Sequence, residues 1–200
     1  MEYFLSLMAF TFVAGITPGP NNIMLFASGL NHGVKKSLPH YFGICIGFIF
    51  LVAAIGFGLG AIFKQSPLLH QILKIVGAIY LVYLAWKIAC ASTASSCGDI
   101  RYPFTFIEAA LFQWVNPKAW VISIGAIATF SIPSNIIGSI TAIIIMYFIM
   151  GLLTMGIWLT LGSTLQRFLK SEKRKRIFNI SMAILLVFSI IPMVVGPVSL

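Results

Sequence analysis

Two short stretches place polar residues where apolar ones would be expected: Thr17-Pro18-Gly19-Pro20-Asn21-Asn22 interrupts one apolar run, and Asn116-Pro117-Lys118 interrupts another. If these runs cross a bilayer, Lys118 is the most informative residue of the chain. An ammonium near the bilayer centre costs roughly 2.5–3.5 kcal/mol on insertion scales, so it is rarely kept without a role and should face the protein interior. The chemistry open to such a group is binding. An ammonium attracts a carboxylate, while Asn21, Asn22 and carbonyls freed from a broken helix can hold an ammonium in return. The plainer reading is a structural ion pair or a lysine that snorkels along the break.

The acid closest to Lys118 within the same run is Glu108, ten residues earlier and so about 15 Å away along an ideal helix. If buried, Glu108 could take up and release protons, and it is the proton-coupling candidate. As a plain interfacial acid it would simply complement a helix N-terminus. Gln113 lies between the two and could extend a polar lining. His32 and His40 fall at the end of the second apolar run, where a histidine is ordinarily interfacial and a proton relay is the sharper alternative.

No nucleophile or metal set accompanies these residues. The sequence contains no HExxH, no GxSxG, no paired intramembrane aspartates and no phosphate loop ending in Lys-Ser/Thr, so an enzyme is not expected, nor a metal or other cofactor. Cys45, Cys90 and Cys97 form no CxxC and read as small apolar packing residues. A membrane thiol-redox carrier using them, or a structural membrane subunit, is the rival class.

The elements that must position this chemistry are membrane helices. With 60% hydrophobic and 8% charged residues and a mean hydropathy of +1.02, the chain belongs to no ordinary soluble class. Six apolar stretches, 3–26, 39–63, 71–90, 104–131, 136–162 and 177–198, meet the requirement of about 20 residues per crossing. They leave only short loops and no room for a soluble catalytic or nucleic-acid-binding domain. The first stretch carries Glu2 and no basic leader, so it reads as retained rather than as a cleaved signal.

Charge orients the spans. Lys35, Lys36, Lys87, Arg101, Arg167, Lys170, Lys173, Arg174, Lys175 and Arg176 share one side; Lys64 and Lys74 lie on the other. The positive-inside rule then places both termini outside the cytoplasm. The run Lys173–Arg176 reads as a contact with lipid headgroups, not nucleic acid.

Three spans per half, approximately 1–95 and 101–200 of a single transmembrane domain, require one half to lie upside down if the halves are related. Spans one and four then correspond, and both are broken by proline near their middles. Paired breaks of this kind point to a transporter binding site. Proline removes an amide donor and clashes with the preceding turn, and irregular backbone at membrane depth is tolerated only where protein or a polar cavity surrounds it. The expected fold is therefore an all-α polytopic membrane protein with six transmembrane helices in an inverted 3+3 repeat. Gly43 with Gly47 and Gly56 with Gly60 have GxxxG spacing; close packing within the chain is the simpler reading, and a homodimer face stays open.

"TPGPNN" and "NPKAW", supported by "NHG" and "AIYLVYLAWKIA", resemble the signatures of the lysine-exporter (LysE/RhtB) superfamily of bacterial amino-acid efflux carriers over nearly the whole chain. "FQWVNPKAW" is similar to the cysteine and O-acetylserine exporter branch, whereas Glu108-Ala109 departs from a position where glycine is frequent. The resemblance implies a proton-driven inner-membrane exporter of a small amino acid. It also assigns Pro18, Gly19, Pro20, Asn21, Asn22, Asn116, Pro117 and Lys118 to the substrate site. The absence of an acidic pair for a cationic side chain favours a neutral substrate.

Overall fold

The computed structural model describes residues 1–60, 66–90, 103–169 and 171–189, and among these every regular element is helical. In chain order they are α1 (Glu2–Ile16), α2 (Pro20–Ala54, continued by a π turn at Ile55–Leu59), α3 (Pro67–Cys90), α4 (Phe106–Val115), α5 (Pro117–Phe130), α6 (Ile136–Phe168) and α7 (Glu172–Phe188). Lys64, Cys97, Arg101, Lys170 and the ends of the expected spans 39–63 and 177–198 lie outside the described residues.

Both expected breaks are present. α1 stops at Ile16 and α2 starts at Pro20, with Gly19 extended between them; α4 stops at Val115 and α5 starts at Pro117, with Asn116 extended. Proline takes the first helical position in α2 and α5, where its missing N–H has no helical partner to lose and its fixed φ suits the helix.

The expected loop at 27–38 is not a loop. Helix continues on both sides of Gly33, which alone departs from helical geometry with φ 76° and ψ 172°. The Ser28 hydroxyl donates to that of Ser37 at 2.8 Å. Nine residues of continuous helix would hold these two about 13.5 Å apart, so the chain reverses at Gly33. A positive φ is open to glycine at little cost, and one residue replaces the expected connection. Thus α2 consists of two arms, 20–32 and 34–54, folded against each other.

Glycines set the closest helix approaches. A Cβ on Gly162 would fall on the Phe26 carbonyl, and one on Gly29 would fall on that of Leu159, so the first arm of α2 and α6 meet backbone to backbone. Gly43 and Gly47 face Phe106, Ala109 and Ala110 of α4, which puts this GxxxG pair in packing within the chain. α3 and α7 close the other flank through Leu81, Leu84, Ala85, Ile88, Ala183 and Leu186. There Asn31 and Asn179 exchange amide hydrogen bonds at 3.0 and 2.9 Å, so each satisfies the other in an apolar setting.

The outer surface is apolar: Phe50, Ile79, Leu111 and Ile137 are each more than 60% exposed. A soluble monomer rarely shows apolar surface so widely spread, and hydrocarbon is the medium it fits.

Candidate binding crevice

The breaks leave carbonyls without helical partners, and following those carbonyls locates the site. At the end of α1 the Gly15 carbonyl accepts from Asn22 Nδ2 at 2.8 Å and the Ile16 carbonyl from the Trp158 indole at 3.3 Å. The Thr17 carbonyl accepts from Lys118 Nζ, and the Pro18 carbonyl lies 3.5 Å from the same ammonium. At the end of α4 the Trp114 carbonyl accepts from the Trp120 indole at 2.9 Å. The Asn116 side chain caps α5 by accepting from the Lys118 N–H at 3.2 Å. Side chains, local ones together with Lys118 and Trp158 from distant segments, thus satisfy groups that would cost several kcal/mol each if left bare in hydrocarbon.

Two contacts lock the breaks to each other. Lys118 reaches from the second break to the first. Asn21 reaches back from the first to Gln113 of α4, in a reciprocal amide pair of 2.8 and 3.1 Å, with Gln113 also donating to the Ala109 carbonyl at 2.8 Å. Asn21 and Lys118 occupy the same place in their helices, directly after the proline at the first position. Gly19 lies under the lysine stem: a Cβ there would come within 2.7 Å of Lys118 Cδ.

Beside these contacts is a crevice lined by Asn21, Asn22, Asn116 and Lys118 at the breaks, by Thr11, Ala14 and Gly15 of α1, by Ala119 and Ile122 of α5, and by two unbroken segments. The second arm of α2 contributes Ile44, Cys45 and Phe48; α6 contributes Tyr147, Gly151, Thr154 and Met155. The crevice has a cavity volume of about 50 Å³. Lys118 is the only charged side chain among the lining residues, and the N-terminal ends of α2 and α5 add positive potential at the breaks. The arrangement suits a small anionic group, with carbonyl and amide oxygens nearby for an ammonium.

Of the sequence-derived candidates, Asn21, Asn22, Asn116 and Lys118 come together on the crevice. Pro18, Gly19, Pro20 and Pro117 shape its backbone, and Gln113 acts from behind through Asn21. Glu108 is elsewhere. It completes a capping box with Thr105 at the start of α4, accepting from the Thr105 N–H at 2.8 Å, and pairs with Lys87 at 3.7 Å with its side chain 42% exposed. In that position the carboxylate complements the N-terminus of α4. Among the cysteines, Cys45 is a buried free thiol on the crevice, as a packing residue would be, whereas Cys90 is disulfide-bonded and departs from that expectation.

Sequence reading missed Trp158 and Trp120, whose indoles satisfy the broken ends of α1 and α4, and the α6 wall at Tyr147, Gly151 and Thr154. Trp120 could have been found from its place in "NPKAW". The α6 residues carry no local signal.

A pair of proline-broken helices clasped around a lysine-bearing crevice defines a membrane translocator rather than an enzyme. The chain belongs to the LysE type translocator family, whose profile matches residues 12–192. It is 31% identical over 183 residues to the cysteine/O-acetylserine efflux proteins of Escherichia coli (strain K12) and Shigella sonnei (strain Ss046), covering 90% of this chain and 91% of each relative. No solved structure gives a significant match.

Proposed function

We propose that this protein exports a small neutral amino acid from the bacterial cytoplasm across the inner membrane, driven by the proton gradient. The carrying observation is the crevice itself: one ammonium and no acid, between two broken helices clasped to each other. Lys118 faces the substrate carboxylate. Asparagine oxygens and the carbonyls at the end of α1 face its ammonium, and no carboxylate stands ready for a cationic side chain. The efflux relatives support amino-acid export as the activity. Amino acids in cells and medium, measured with and without the protein, test the reading. A neutral amino acid should accumulate outside in a way that collapses with the proton gradient, whereas export of only lysine or arginine would refute the neutral substrate.

Six crossings as two inverted halves fit the matched positions of Asn21 and Lys118, with span one made of α1 and the first arm of α2, and span four of α4 and α5. Both termini then face outward and the Lys173–Arg176 run lies at the cytoplasmic surface. Reporter fusions at Leu200 and near Lys173 should give opposite responses. A cytoplasmic C-terminus would refute both the orientation and the six-span count.

A further inference from the structure

The crevice has two kinds of wall. The broken helices supply Lys118 and the asparagines, whereas the second arm of α2 and α6 supply Ile44, Cys45, Phe48 and Met155. The hydroxyls on the lining already have donor bonds: Thr11 to the Leu7 carbonyl, Thr154 to Met150 and Tyr147 to Ile122, each at 2.8 Å. Tyr147 therefore ties α6 to α5 and holds a fixed position. On the same face of α6, four residues after Tyr147 and three before Thr154, stands Gly151. A Cβ built there meets no atom within 4 Å, although Gly151 lines the crevice. This contrasts with Gly29 and Gly162, where the missing side chain lets helices touch. At Gly151 the missing side chain leaves space.

We propose that Gly151 is a specificity-determining position, where the missing side chain makes room for the side chain of the substrate. The inference rests on the amino-acid export reading and adds to it the size class of the substrate and the residue that sets it. With the zwitterion held at Lys118 and the asparagines, the substrate side chain is housed against α6 and the second arm of α2. The wall that receives it carries apolar and sulfur groups, with its hydroxyl protons already donated elsewhere. Small uncharged side chains suit such a wall, and charged ones do not.

The test is counterflow of labelled glycine, alanine, cysteine, valine and methionine by the full-length protein in liposomes, comparing the wild type with Gly151→Ala and Gly151→Val. Because nothing stands in the way of the new methyl, and alanine is a better helix former than glycine, Gly151→Ala should insert and melt like the wild type. Glycine transport should be kept, while each larger substrate falls relative to glycine by roughly 10-fold or more per excess methylene, as for other close-fitting pockets. Gly151→Val should narrow the range further. Gly125→Ala is the control, since Gly125 has similar room but does not line the crevice, and it should leave selectivity unchanged. Equal loss or equal retention of all substrates in Gly151→Ala would overturn the proposal, as would failure of that variant to fold. A wild type that transports no amino acid would instead refute the export reading.

Discussion

Lys118→Met is expected to abolish export while the protein still inserts and folds. Methionine keeps an unbranched stem over Gly19 but removes the only charge on the crevice lining. Truncating one partner of a desolvated charge pair typically costs about 2–5 kcal/mol, a loss of roughly 30- to 4,000-fold in apparent affinity. The Thr17 and Pro18 carbonyls lose their donor, yet removing a half-buried ammonium from an apolar setting offsets that cost, so insertion survives. Lys118→Arg should restore export only in part, because a planar fork does not place its charge where a compact ammonium does. Export assayed at equal protein level in the membrane decides the matter. Undiminished export by Lys118→Met would show that the lysine serves the broken backbone alone, and the shared-site reading would fall.

Gly162→Val is expected to act on stability more severely than any other glycine change proposed here. The obstacle at Gly162 is the backbone of Phe26, which cannot swing aside as a side chain can, and the reciprocal contact of Gly29 with Leu159 means that α6 cannot shift without breaking a second approach. Overpacking of this kind costs about 1–3 kcal/mol and occasionally more, and two coupled backbone contacts place it at or above the upper end. Thermal unfolding in detergent should show a large fall in melting temperature for Gly162→Val and an intermediate one for Gly162→Ala. A melting temperature equal to the wild type would mean that the crossing of α2 and α6 is looser than described.

The breaks were legible in the sequence because proline announces itself: Pro18, Pro20 and Pro117 mark where backbone bonding must fail whatever surrounds them. Lys118 was legible for a similar reason, since a lone charge in an apolar run requires an interior partner. That its partners are the Thr17 and Pro18 carbonyls was not, because backbone acceptors have no sequence signature. The Asn21–Gln113 pair likewise depends on how two helices whose paired residues lie 92 positions apart are packed. The segment 27–38 was misread because Asn31, His32, Lys35 and Lys36 make it polar, and polarity alone does not separate a loop from two helix ends joined at one glycine. The cap at Glu108 was legible as well, since Thr105-x-x-Glu108 has the spacing of a capping box. Gly151 shows the limit from the other side, since a glycine that leaves space and a glycine that permits contact look alike in a sequence.

The bonds from Lys118 to Thr17 and Pro18 bear on how much substrate the protein needs before it works. A carboxylate arriving at this ammonium finds it already coordinated by the protein's own carbonyls, so binding is an exchange of one oxygen partner for another. The net gain is the difference between the two. Such a carrier has a built-in competitor that is present at fixed local concentration and cannot diffuse away. On the export reading, its apparent affinity would be lowered and its transport would rise only as the substrate becomes abundant, as in a relief valve.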